Sequence, residues 1–109
     1  MTEQLPGRRS LLIVWHSRTG AAQQMAQAAQ QGAQQVLREL NAQDRVQIVV
    51  LDAEQVSTSQ LIGADAYLFC APENLGSLSG TMKEFFDRTY YGALNKLNGR
   101  PAAIMIAAG

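Results

Sequence analysis

The chain has 109 residues, nine acids balanced by nine lysines and arginines, and a single cysteine, Cys70. That length bounds it to one domain, large enough for a core but short for a complete α/β sheet. Scattered basic residues exclude a nucleic-acid footprint or a polybasic membrane patch, and one cysteine excludes an intramolecular disulfide.

In chain order, the lead-in Met1 to Arg9 lacks the apolar core of a signal peptide, and no run is long enough to span a bilayer. With the reduced cysteine, this predicts a cytoplasmic protein without a membrane partner. Leu11 to Trp15 is continuously apolar, the pattern of a central parallel strand covered on both faces. A short polar turn follows, His16-Ser17-Arg18-Thr19-Gly20. The next stretch, from about Gly20 to Leu40, repeats apolar residues every three or four positions: Ala22, Met25, Ala26, Ala29, Ala33, Val36, Leu37 and Leu40. That spacing makes one face of a helix, and the intervening glutamines make its solvated side.

Asn41 to Asp44 supplies turn residues, and Val46 to Leu51 reads as a β-branched second strand. Ser57 or Ser59 caps a short helix that Gly63 stops. Ala66 to Cys70 is the third strand, and Ala71 to Gly80 reads as a long irregular loop. A third helix starts near Thr81 and places Met82, Phe85, Phe86, Thr89 and Tyr90 on one face. After the Asn98-Gly99-Arg100 turn, Pro101 to Ala107 forms a fourth strand, with proline where a missing donor is tolerated. This alternation predicts a parallel α/β sheet with right-handed crossovers. An apolar final strand leaves an uncovered edge, so the expectation is a fragment missing its last elements, or a partner on that edge.

Two loops at the carboxyl ends of strands are the candidates for chemistry, because open α/β sheets bind ligands there. The first, Ser17-Arg18-Thr19-Gly20, aims backbone N–H groups, hydroxyls and a helix's positive end at one spot, which suits a phosphate. A plain turn whose Thr19 caps the helix is the alternative. Neither a G-x-G-x-x-G fingerprint nor a Walker lysine is present, so neutral donors around a monophosphate fit better than a magnesium triphosphate. The second loop is Pro72-Glu73-Asn74-Leu75-Gly76-Ser77.

Together these loops resemble the flavodoxin-like superfamily, and within it flavodoxins and NAD(P)H-dependent FMN reductases. The family's S-x-T-G-x-T motif reads here Ser17-Arg18-Thr19-Gly20-Ala21-Ala22. Its P-E-x-n-x-S segment reads Pro72-Glu73-Asn74-Leu75-Gly76-Ser77, with Lys83 and Asp87 following at the family's spacing. The resemblance implies a flavodoxin-like doubly wound parallel sheet of order 2-1-3-4-5, of which this chain holds strands 1 to 4. It implies FMN as cofactor, with Ser17, Arg18, Thr19, Gly20, Ala21 and Ala22 around its phosphate. Pro72, Glu73, Asn74, Leu75, Gly76 and Ser77 would line its ring. It further implies NAD(P)H as electron donor and a small acceptor such as a quinone or free flavin. Relatives of this kind are often homo-oligomers.

Ala22 departs from the motif, and losing the threonine hydroxyl removes a donor worth roughly 1.5–3 kcal/mol to a charged acceptor. The Arg18 guanidinium either replaces it as a fork on the phosphate or is simply solvated. Glu73 is open between a cofactor-side role and an exposed or capping carboxylate. An electron carrier without small-molecule turnover, and a module that has lost its flavin, are the competing functions. Carriers of the first kind are typically acidic, whereas this chain is neutral. No side chain reads as a general acid or base. Cys70 reads as a buried small hydrophobe, Trp15 as core, and His16 as a loop residue with no metal partners. Lys83 and Asp87 read as a surface pair, and Tyr90-Tyr91 as a candidate subunit contact.

Overall fold

A computed structural model describes residues 8–17, 19–74, 77–78, 80–90, 97 and 99–107. The strands are β1 (Arg9–Trp15), β2 (Val46–Asp52), β3 (Ala66–Asn74), β4 (Ser77–Leu78) and β5 (Ala102–Ala107). The helices are α1 (Ala21–Glu39), α2 (Thr58–Gly63) and α3 (Gly80–Phe85), and α3 continues as a π-helical turn over Phe86–Tyr90. The parallel strands lie in the order β2-β1-β3-β5, which is the flavodoxin-like order expected for strands 1 to 4.

Alternation along β1 divides the core. Ile13 packs with Ala26 and Cys70 beneath α1, joined by Leu11, Trp15, Met25, Ile48 and Val50. Leu12 and Val14 face the opposite way, with Tyr67, Phe69, Val56, Leu61, Met82 and Phe85. Both faces of β1 are therefore buried, and this is why its sequence shows no polar alternation. The glutamine face of α1 is solvated as expected, with Gln23, Gln27, Gln31 and Gln34 exposed.

The far end of α1's apolar stripe is not buried. Val36 is 50% exposed and Leu40 65%. The 19 residues of α1 span roughly 28 Å, whereas the seven residues of β1 span about 23 Å, so the last turn overhangs the sheet. Strand β5 is the other departure from burial. Among the described residues, its Ile104 and Ile106 are 53% and 51% exposed.

Of the two candidate caps, Ser57 is the one used. It forms a reciprocal capping box in which its side chain accepts from the Gln60 N–H and its own N–H donates to Gln60 Oε1. Gly63 is the last helical residue of α2, not the residue beyond it, and Ala64 closes the turn. The carbonyls at that end are collected by Arg100, whose Nη1 donates to Ala64 O at 2.7 Å and to Tyr67 Oη at 3.0 Å. A cation at a helix C-terminus is favourable, so this contact ties α2 to the start of β5.

Two expectations for the second loop change. Strand β3 runs on to Asn74, and Glu73 and Asn74 pair antiparallel with Leu78 and Ser77. Ala71 to Asn74 thus extend the strand, and Ser77 and Leu78 pair back onto it, where the sequence predicts an irregular loop. Pro72 is tolerated there because β1 stops at Trp15, opposite Cys70, and frees one edge of β3 beyond that point. The third helix holds Met82 and Phe85 fully buried, as its spacing predicts. Its π-turn was not foreseen. Wider winding reduces the angular step per residue, and Phe85 and Phe86 both reach Phe69, at centroid distances of 5.8 and 5.1 Å.

Candidate functional site

The end of β1 sets the geometry. Trp15 stands opposite Cys70 on one side and Asp52 on the other, so three strand ends line up. The chain leaves β1 with the His16 N–H donating to Cys70 O at 3.0 Å. This bond fastens the first loop against β3, where the second begins. The two motifs, about fifty residues apart in sequence, are therefore neighbours in space.

Within the first loop, Ser17 Oγ accepts from the Gly20 N–H at 2.8 Å. Gly20 is the residue that enters α1, with φ +100° and ψ −14°, a left-handed conformation costly for residues with a Cβ. Thr19 is exposed and does not occupy the N-cap, so the alternative in which its hydroxyl caps the helix is not the one the structure adopts. No side chain caps the helix; Ser17 closes the turn before it, its short hydroxyl reaching the Gly20 N–H. While accepting from Gly20, that hydroxyl keeps its own proton to donate elsewhere.

Beyond Gly20, the first helical bond runs from the Gln24 N–H to Gly20 O at 2.9 Å. As at any helix start, the N–H groups of the first turn have no partner within the helix itself. The first turn carries no acidic side chain. A 19-residue helix thus presents its positive end, free of carboxylates, to the mouth of this loop. Ala22 is buried, at 1% exposure, and its methyl packs inward. A threonine at this position would have to fit its extra atoms into that packing.

At the second loop, Pro72 is half-buried and lies opposite Ala107 of β5. The backbones of Glu73, Asn74 and Ser77 belong to the hairpin. The side chains of these three residues, and Arg18, Leu75, Gly76 and Tyr91 altogether, lie outside the described residues, as do the side chains of Thr89 and Tyr90. Ser17, Thr19, Gly20, Ala21 and Ala22 are brought to the same end of the sheet as Pro72.

Sequence reasoning missed two residues that shape this end. Asp52 closes β2 and accepts from the Glu54 N–H at 3.0 Å, starting a tight 3-10 turn over Ala53–Gln55. Arg88 donates from Nη1 to Val56 O and from Nη2 to Ala53 O, both at 2.8 Å, and pairs with Glu84 at 3.0 Å. It thereby ties the segment after β2 to the helix that follows the hairpin. The Asp-x-Glu spacing signals the first feature, as an Asx turn. Nothing in the sequence signals the second, because its partners are carbonyls 32 and 35 residues away.

Cys70 is fully buried, and burial pushes its thiol's pKa up from the ordinary value. A suppressed thiolate makes a poor nucleophile. Folded protein should therefore react with a water-soluble disulfide reagent at least about a hundredfold more slowly than urea-unfolded protein, as read by thiol titration. Equal rates in the two states would contradict the burial. Among the described residues no group of histidine, cysteine, aspartate and glutamate can hold a metal, and no helix is long and apolar enough to cross a membrane.

Comparison with known proteins decides the family. The profile of the NADPH-dependent FMN reductase family matches residues 20–109. The chain belongs to that family. Among curated proteins, this FMN reductase-family chain is 26% identical to a probable NAD(P)H dehydrogenase (quinone) of Arabidopsis thaliana, covering 91% of the chain and 42% of the relative. It is 22% identical to a flavodoxin of Aquifex aeolicus, covering 91% of the chain and 50% of the relative. It thus spans about half the length of the curated relatives it matches. Among solved structures, an oxidoreductase of Corynebacterium diphtheriae superposes with a TM-score of 0.73 at 16% identity, over 92% of this chain and 64% of that one. At that identity the likeness speaks for the fold alone.

Proposed function

We propose that this FMN reductase-family chain holds FMN at the carboxyl end of β1 and β3. Within its protein it would serve electron transfer from NAD(P)H to a small acceptor such as a quinone or free flavin. The reading rests above all on one observation, the His16-to-Cys70 hydrogen bond that seats the Ser17–Gly20 turn against β3. The residues present fit the cofactor. A monophosphate dianion suits the open N-terminus of α1, the Ser17 hydroxyl proton and a turn without carboxylates. Ser17, Arg18, Thr19, Gly20, Ala21 and Ala22 would hold the phosphate, and Pro72, Glu73, Asn74, Leu75, Gly76 and Ser77 would flank the ring.

The flavin, when bound, supplies the redox chemistry, and the protein supplies position and electrostatics. Ser17 donates a hydroxyl proton to a phosphate oxygen, and the first-turn amides add N–H donors. Gly20, where an added Cβ would meet nothing within 4 Å, would leave the backbone of the turn open to the phosphate. The hairpin at Glu73–Leu78 gives the ring's neighbourhood a paired, pre-formed backbone, which lowers the ordering cost of binding.

The purified protein mixed with FMN should quench flavin fluorescence at one equivalent and then oxidise NADPH or NADH with a quinone acceptor. No quenching would overturn the cofactor assignment. Quenching without turnover would favour the second reading, a flavodoxin-type carrier, which the Aquifex relative supports and the zero net charge opposes.

A further inference from the structure

Arg88 makes a contact that the cofactor reading leaves unused. Its three side-chain nitrogens meet three different acceptors. Nε pairs with Glu84 at 3.0 Å, while Nη1 donates to Val56 O and Nη2 to Ala53 O, both at 2.8 Å. A planar fork fits such an array, whereas a lysine offers a single nitrogen. The two carbonyls belong to buried residues, Ala53 at 0% and Val56 at 1% exposure. They lie on the segment that leaves β2 at Asp52, level with Trp15 at the end of β1.

The other side of the contact leads to the second loop. Arg88 sits on the π-helical turn that continues α3, and α3 starts at Gly80, two residues after Leu78 of β4. Leu78 and Ser77 in turn pair with Glu73 and Asn74 of β3. Met82 and Phe85 press α3 onto the sheet, with Phe85 at 5.8 Å from Phe69. Apolar contacts are non-directional, so they fix the height of α3 above β3 better than its rotation or sliding. Hydrogen bonds are directional, and two carbonyls held by one rigid fork supply the missing constraint. Phe85 lies between the ends of this helical run, three residues before Arg88 and five after Gly80. A run seated at Phe85 and released at Arg88 pivots, and the displacement emerges at Gly80 and the hairpin.

We propose that Arg88 is a positioning residue for the ring side of the flavin site. By locking α3 to the segment after β2, it sets where the paired residues Glu73, Asn74, Ser77 and Leu78 stand relative to the Ser17–Gly20 turn. The proposal rests on the FMN reading above and divides that site into two independently held halves. The phosphate turn is fastened to β3 by the His16-to-Cys70 bond, in which Arg88 has no part. The ring side depends on Arg88.

The test compares the parent with Arg88→Met, which keeps an unbranched stem, Arg88→Lys, which keeps the charge, and Glu84→Ala, which frees Nε. The Arg88 side chain is 36% exposed, so water can take over the two carbonyls when the fork is removed. In the flavin-free proteins, amide chemical shifts should move at Glu73, Asn74, Ser77 and Leu78 and stay in place at Ser17, Gly20 and Ala22. The movement should be smaller in Glu84→Ala, which leaves both carbonyl bonds intact and keeps the test open if an Arg88 variant fails to fold. FMN and riboflavin should both bind about three- to tenfold more weakly to the Arg88 variants, with their affinity ratio unchanged, because only the ring side is disturbed. The absorbance bands of the bound flavin should shift as well, which a loss of stability alone does not produce. Unmoved hairpin amides in every folded variant would overturn the positioning role, as would weakening of FMN alone. Arg88→Lys matching the parent would overturn the fork, since charge would then suffice. A parent that binds neither flavin would overturn the cofactor reading, and the flavin-free shifts would still decide whether Arg88 positions the hairpin.

Discussion

Gly20→Val is expected to weaken FMN binding at least about tenfold while leaving the fold intact, which corresponds to about 1.4 kcal/mol. Gly20 holds φ at +100°, where a side chain costs roughly 1–2 kcal/mol and a β-branched one more. A Cβ added there meets nothing within 4 Å, so the penalty is torsional and not a clash. The turn can relieve it by swinging Gly20 to negative φ. That movement breaks the 2.8 Å bond to Ser17 Oγ and re-aims the N–H groups that open α1. The helix itself survives, because its later bonds and its buried Ala22 and Ala26 lie beyond the turn.

Gly20→Asn provides the control, since asparagine tolerates left-handed backbone better than other side chains. It should retain most of the affinity that valine loses. Flavin fluorescence quenching measures both variants, and a circular dichroism melt checks that both remain folded. If Gly20→Val bound FMN as the parent does, the phosphate would lie elsewhere and the assignment of this turn would fall.

How far such a site is legible in the sequence depends on which physical signal carries each part. Leu11 to Trp15 and Val46 to Leu51 announce themselves because burial on the sheet demands apolar, often β-branched runs. The fourth parallel strand is equally plain, since Ala102 to Ala107 is an apolar run after a proline and pairs with β3 in the structure. The Ser17–Gly20 turn was visible as composition, yet the roles within it were not. Whether Thr19 or Ser17 closes the turn depends on backbone angles, and only Gly20's positive φ settles it.

The second loop shows a different limit. Pro72 and Asn74 are depleted in strands, so local preference argued for irregular structure. The competing fact is tertiary, namely that β3 outlasts β1 and folds back on itself through Ser77 and Leu78. Likewise the apolar stripe of α1 predicted burial out to Leu40, but a stripe records only which side faces the sheet. The length of the strands below decides how much of it is covered. Arg88 marks the furthest limit. Its clamp on Ala53 and Val56 uses carbonyl oxygens, which every residue has, so no residue type could announce it.

Phe85→Ala is expected to cost about 3–5 kcal/mol, the largest single effect on stability. Phe85 is fully buried and packs at a tilt within a cluster that joins three elements, at 5.8 Å from Phe69 and 5.4 Å from Phe86. Truncation removes both the transfer energy of a large ring and its aromatic contacts. It also opens a void that the sheet beneath, already packed by Val14 and Leu12, cannot close. A domain of this size has only about 5–15 kcal/mol to lose. A thermal melt should therefore fall by at least about 12 °C, since each kcal/mol shifts a small domain by roughly 4–8 °C. Phe85→Leu, which keeps the apolar contact and most of the volume, should lose about 1–2 kcal/mol. The two variants together separate packing from mere placement. Because α3 follows the hairpin directly, its seat on Phe69 also fixes where the second loop ends. FMN affinity measured well below the melt should drop less in Phe85→Ala than in Gly20→Val, since the first-loop turn is untouched. A Phe85→Ala melt within a few degrees of the parent would mean that α3 is seated by something other than this ring.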